Sequence, residues 1–245
     1  MATGLLLALV STSSLAEGEF DVNGDAWYAG IRVGLSTSID SRGEYLGKTQ
    51  AVYGGSPVID LDNGTQFALV LGREVFAGMR LELEASYLTA ESDASPVLGS
   101  DLRSEDVFRV HADLESIMVL AKIGYDFEHL NWWVDPYVRV GVGVAETTTN
   151  ARQSVDFNSP IWAGTSLAGQ SLEDQGFAEG KASDLAWDLA VGFRRQLNKR
   201  WGIRFEYSYL DQGESRSGIS GDGDAIVFSD PESQQIAFGV DWRFQ

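Results

Sequence analysis

The chain runs out on Gln235-Ile236-Ala237-Phe238-Gly239-Val240-Asp241-Trp242-Arg243-Phe244, one residue before Gln245. Ile236, Phe238, Val240, Trp242 and Phe244 are bulky and apolar. The residues between them are small, polar or charged. Strict alternation over ten residues is the period of a β-strand whose two faces meet different surroundings. One face of this strand is too aromatic for water, and the other carries Asp241 and Arg243. Any partner strands must show the same two-sidedness.

Seven other stretches do. Asp25–Ser36 sets Trp27, Ala29, Ile31, Val33 and Leu35 against Tyr28, Gly30, Arg32 and Gly34. Thr65–Arg73 turns out Phe67, Leu69 and Leu71, and Met79–Leu88 opposes Leu81, Leu83, Ala85 and Tyr87 to Arg80, Glu82, Glu84 and Ser86. In Asp113–Phe127, Ile117, Val119, Ala121, Ile123 and Tyr125 alternate with Lys122, Gly124 and Asp126. Trp133–Ala145 carries Val138, Val140, Val142 and Val144 against Tyr137, Arg139, Gly141 and Gly143. Asp184–Arg195 places Leu185, Trp187, Leu189, Val191 and Phe193 opposite Asp188, Gly192 and Arg194. Trp201–Leu210 places Trp201, Ile203, Phe205, Tyr207 and Tyr209 opposite Gly202, Arg204, Glu206 and Ser208.

Eight strands of this kind make an even-numbered, antiparallel up-and-down barrel. Which face is the inside follows from volume. An eight-stranded barrel is only wide enough for side chains to fill. The apolar set is nearly all large and would not fit, whereas the opposite set mixes long charged residues with glycines. The apolar set therefore faces lipid and the charged set lines the lumen. A soluble, lipocalin-like barrel would need the reverse.

Connections alternate in length. Glu74–Gly78, Glu128–Trp132 and Gln196–Arg200 are short, while the links after Ser36, Leu88, Ala145 and Leu210 are long. Trp27, Phe127, Trp132, Phe193, Trp201 and Trp242 gather at the short-turn end, where an interfacial aromatic girdle belongs. The long third link has room for two more strands, which leaves a ten-stranded barrel as an alternative.

The opening Trp27-Tyr28-Ala29-Gly30-Ile31-Arg32-Val33-Gly34, the eight alternating strands and the aromatic terminus resemble the small outer-membrane β-barrel family. That family includes the OmpA-type transmembrane domain, OmpX-like proteins and the opacity-protein-like porin family. The resemblance covers residues 25–245 and is one of pattern. It implies an all-β, eight-stranded antiparallel up-and-down transmembrane β-barrel with short periplasmic turns and long extracellular loops, in a bacterial outer membrane. The family's usual terminal Phe corresponds to Phe244. Phe238, Val240, Trp242 and Phe244 would then form the signal read during assembly.

Residues 1–16 have the shape of a secretory leader, with a short apolar core at Gly4–Val10 and small residues at Ser14 and Ala16. The barrel domain would occupy residues 17–245. No later run is long and apolar enough for a membrane-spanning helix. Cysteine is absent, which excludes disulfides, thiolate metal sites and a cysteine nucleophile. A formal net charge of −18 argues strongly against nucleic acid as a partner. The four long links carry −2, −3, −3 and −5, so most of the excess lies outside the membrane. That charge suits solubility, or contact with lipopolysaccharide through divalent cations, or an extracellular partner of opposite charge.

The lumen set comprises Arg32, Arg80, Lys122, Arg139, Arg194, Arg204 and Arg243 with Glu82, Glu84, Asp126, Asp188, Glu206 and Asp241. Near-balanced charges in a narrow interior are expected to pair. Catalytic residues, cofactor sites and metal sites are not expected. Asp21-Val22-Asn23-Gly24-Asp25 begins like a calcium loop but lacks the Gly at its sixth place and the Glu at its twelfth. Asp222-Gly223-Asp224 is a weak oxygen cluster. Two histidines exist. His129 lies in a short turn, and His111, near Asp113 and Ser116, is the one conceivable catalytic base. Ile161-Trp162, with Leu167 and Leu172 beyond, is an apolar patch in the third loop. These residues favour a monomeric barrel with a structural or surface-interaction role, no large pore and no cofactor. A small-solute porin is the alternative, and an outer-membrane lipid A-modifying enzyme a more distant one.

Overall fold

The computed structural model describes residues 27–38, 42–46, 63–76, 78–93, 107–127, 132–158, 160, 163–166, 168–219, 225–229 and 232–244. The leader, the Asp21–Asp25 stretch, His129, Ile161-Trp162, Leu167 and Asp222-Gly223-Asp224 lie outside them.

Among the described residues there are twelve strands: β1 (Trp27–Ser38), β2 (Arg42–Leu46), β3 (Gly64–Phe76), β4 (Met79–Asp93), β5 (Val107–Asp126) and β6 (Asp135–Asp156). They continue as β7 (Ser171–Gly176), β8 (Gly180–Gln196), β9 (Trp201–Asp211), β10 (Ser215–Arg216), β11 (Ala225–Ser229) and β12 (Glu232–Arg243). Eight of them close a ring in the order β1-β3-β4-β5-β6-β8-β9-β12, every neighbour antiparallel. The first and last strands meet, Gly30 opposite Asp241 and Val33 opposite Phe238. Closure leaves the ring without an edge, which a backbone in lipid requires.

Because side chains alternate, one register fixes both faces of each strand. Leu35 is 66% exposed and Val144 60%, in a belt of large apolar residues that surrounds the ring. Such a belt is stable only against lipid.

The ring is uneven in height. β5 and β6 have 20 and 22 residues, whereas β1 and β9 have 12 and 11. The β5–β6 pairing continues to Val107 opposite Asp156, well above the apolar belt. This settles the strand number. β8 leaves β6 at the Thr149–Gly180 pair, and β7 takes its place from Arg152–Gly176 upward. The third loop thus extends an existing wall, and the ten-stranded alternative falls. Lys181, within the long link between Ala145 and Asp184, is a β8 residue paired with Thr148. β10, β11 and β2 form a separate three-stranded sheet from the first and last long loops, with β10 against β8 and β6. Phe228 of β11 is fully buried there.

Candidate functional site: a layered lumen

β4 places Arg80, Glu82 and Glu84 on its inner face, and the other strands converge on them. Glu82 is the hub. Its Oε1 accepts from Tyr28 Oη at 2.5 Å, Arg204 Nη1 at 2.8 Å and Arg80 Nη1 at 3.1 Å. Its Oε2 accepts from Arg139 Nη1 at 2.8 Å and Arg32 Nη2 at 2.9 Å. Glu84 accepts from Arg32 and, at 2.8 Å, from Lys122 Nζ, which also reaches Asp188 Oδ2 at 2.7 Å. Glu206 takes Tyr137 Oη at 2.8 Å and Arg139 Nη2. Asp241 takes Arg204 Nη2 at 2.6 Å, and Asp126 takes Arg80 Nη2 at 2.7 Å and Arg194 Nη1 at 3.2 Å. At the lower rim Glu74 joins Arg194, at 2.9 Å, to Arg243.

The network holds all thirteen lumen residues expected from the alternation, and it adds Glu74. Seven cations therefore meet seven carboxylates. Glu74 belongs to β3 rather than to a turn, which completes the balance. All members except Glu74 and Arg243 are buried. Pairing of this density is the condition for charges to survive in so little water.

Two tyrosines organise the guanidinium groups. Arg204 lies over both rings, 5.6 Å from the Tyr28 centroid and 5.8 Å from that of Tyr137, and Arg80 lies 5.0 Å from Tyr137. Cations on aromatic faces gain from the ring quadrupole. Each ring occupies the space above a glycine of the next strand. A Cβ on Gly72 would sit 2.2 Å from Tyr28 Cζ, and one on Gly192 would sit 2.6 Å from Tyr137 Cζ. The constellation thus occurs twice, four strands apart round the ring: Tyr28–Gly72–Glu82 and Tyr137–Gly192–Glu206.

Above the ions the lumen changes character. Leu88, Met118, Leu120, Ala145, Ala186 and Leu210 form a buried apolar cluster. Hydroxyl and amide side chains accompany it, with Ser116 and Thr147 hydrogen-bonded at 2.9 Å and Ser208 and Gln235 at 3.5 Å. This corrects the expectation of a polar lumen throughout. The inward parity of Lys122 and Asp126 continues up β5 through Leu120, Met118 and Leu114, and those positions are apolar.

The conceivable base is not assembled into a triad. His111 Nε2 lies 3.2 Å from Asp113 Oδ1 on the outer face of β5, whereas Ser116 points into the lumen against Thr147. Odd and even positions of one strand cannot share a face. At the closing strand, Phe238 and Trp242 face outward, Trp242 and Phe244 meet edge to face at 4.6 Å, and Phe244 N donates to Trp27 O.

Comparison with known proteins agrees with this architecture. A family model for the outer membrane protein β-barrel domain matches residues 2–244. Among solved structures, the outer membrane protein OprG from Pseudomonas aeruginosa aligns at TM-score 0.57 and 19% identity, covering 91% of this chain and 98% of OprG. Outer membrane protein AlkL, solved in lipid bilayers, aligns at TM-score 0.51 and 14% identity, covering 96% and 97%. At these identities the likeness is one of fold. No curated protein sequence matches.

Proposed function

Because this chain belongs to the family of outer-membrane protein β-barrel domains, we propose that it serves as a structural and surface-interaction barrel whose lumen is closed by ion pairs. It is an integral protein of the bacterial outer membrane, and one chain suffices to close the ring. The observation that carries the reading is the buried, charge-balanced network around Glu82. Every cation there already has a carboxylate, so a passing ion must break pairs in order to enter. The apolar cluster above supplies a second obstacle. Interaction then belongs to the outside of the barrel and its loops. Glu91, Asp113, Glu115, Glu146 and Asp211 belong to the outward parity of their strands above the apolar belt. They suit lipopolysaccharide bridged by divalent cations, or a cationic extracellular partner. Among the described residues no triad is assembled around His111.

Swelling of proteoliposomes in sugar solutions, together with planar-bilayer recording, tests this. The refolded protein should admit no sugar-sized solute and show at most small, flickering currents as ion pairs exchange. Steady nanosiemens conductance would replace the plugged barrel with the small-solute porin.

A further inference from the structure

The outer wall of the barrel is polarised in charge, and the polarity is sharpest at the short-turn end. Arg73 of β3 and Arg195 of β8 both face outward there, paired with Trp27 and Ile203 respectively. Each guanidinium lies over an indole. Arg73 Cζ is 5.5 Å from the Trp27 ring, and Arg195 Cζ is 5.7 Å from the ring of Trp133. β3 and β8 stand four places apart in the ring, so the two pairs sit on opposite sides of the barrel. Trp201 and Trp242, themselves directly paired, mark the same level. The turn after β8 adds Lys199 and Arg200. The carboxylates near this end, Glu74, Asp126 and Asp135, belong to the inner face through their pairing with Arg80, Tyr137 and Arg194. No described carboxylate faces outward at this level. At the opposite end the outward positions carry Glu91, Asp113, Glu115, Glu146 and Asp211 beside fewer cations, Arg152 and Lys181.

We propose that the two Arg–Trp pairs are binding sites for the phosphate headgroups of anionic glycerophospholipids in the periplasmic leaflet. Indoles settle at headgroup depth, where their apolar body and polar edge are both satisfied. A guanidinium stacked on such a ring is held at that depth by its face, and Arg195 is anchored further by donating Nη1 to the Trp133 carbonyl. Planar N–H donors match phosphate oxygens two at a time, which an ammonium on a flexible stem does not. Opposite placement gives two lipids per barrel, one at β3 and one at β8. Chemistry also separates the leaflets: phosphate is attracted to the basic end and repelled from the acidic one. The inference does not depend on whether the lumen conducts.

Native mass spectrometry of the protein released from nanodiscs of mixed phosphatidylglycerol and phosphatidylethanolamine provides the test. The wild type should retain up to two phosphatidylglycerols in preference to phosphatidylethanolamine. Arg73→Gln and Arg195→Gln should each lower that retention by about fivefold, the worth of one surface arginine near an anionic headgroup. Trp133→Leu should weaken the β8 site without changing charge, which separates the stacked site from a diffuse basic field. Glu115→Gln with Glu146→Gln, at the acidic end, should leave retention unchanged. Heat-dependent gel migration checks that each variant is folded. Retention in proportion to bilayer composition overturns the proposal, as does unchanged retention in both arginine variants or in folded Trp133→Leu. Displacement of the lipid by added inorganic phosphate overturns it too, because the sites would then take a free anion rather than a headgroup.

Discussion

At the scale of single residues, Glu82 concentrates more of the molecule's electrostatics than any surface charge does. Four guanidinium groups and one phenol donate to its two oxygens. Glu82→Ala should destabilise the barrel by about 3–5 kcal/mol, the usual cost of leaving buried charges without their partner. Urea unfolding in detergent, followed by gel migration, measures it; a loss below about 1 kcal/mol would mean that the hub is dispensable. Glycine matters as space in the same network. Gly192→Ala would drive a methyl into the Phe205 carbonyl oxygen and the Tyr137 ring and should cost about 1–3 kcal/mol, as overpacking does. Tyr137→Phe in the same background should not recover that loss, because the clash is with ring carbon as well as with the hydroxyl. The thirteen lumen residues were legible in the sequence because parity assigns a face without any tertiary information. Glu74 was not, since its strand runs further toward the turn than the apolar alternation suggests.

At the scale of elements, the closing strand was legible to the residue. Its ten-residue alternation is the one along which Val33 meets Phe238 and Gly30 meets Asp241. Trp242→Asp with Phe244→Asp should abolish membrane insertion, because both aromatic groups lie at the girdle and the strand forms the seam. Insertion at wild-type yield, read by gel migration after refolding into bilayers, would show that the seam closes without them. The heights of β5 and β6 were not legible. Above the belt their outward residues include Glu115, Glu146 and Asn150, and alternation between a polar outside and a mixed inside leaves no periodic contrast to read. Topology can be checked on the same elements. An epitope inserted between Gly164 and Thr165 should be reached by antibody on intact cells, and one between Asn198 and Lys199 only after the outer membrane is opened. The reverse pattern would turn the barrel over.

At the scale of the whole molecule, the lumen has two layers of different chemistry stacked along one axis. On the proposed reading the lower is a closure by charge pairing and the upper a closure by exclusion of water. Sequence parity exposed the first and missed the second, because Met118, Leu120 and Leu210 look like any buried aliphatic residues until the register places them over the ions. The two closures predict non-additive leakage. Arg139 donates to both Glu82 and Glu206, so Arg139→Ala takes one partner from each and leaves the lower layer with one cation too few. Alone, it should give only brief, small currents, because an ion leaving the lower layer still faces the cluster around Leu120. Leu120→Ser alone should remain closed, since the ion pairs are intact. Together they should raise conductance on the order of tenfold or more above the sum of the single variants, as expected when the roughly 1.5–3 kcal/mol of an apolar side chain is taken from a barrier in series. Single-channel recording of the three variants distinguishes the cases. A steady open channel from Arg139→Ala alone would mean that the apolar layer does not gate. A double variant no leakier than the singles would mean that ions, if they pass at all, bypass both layers.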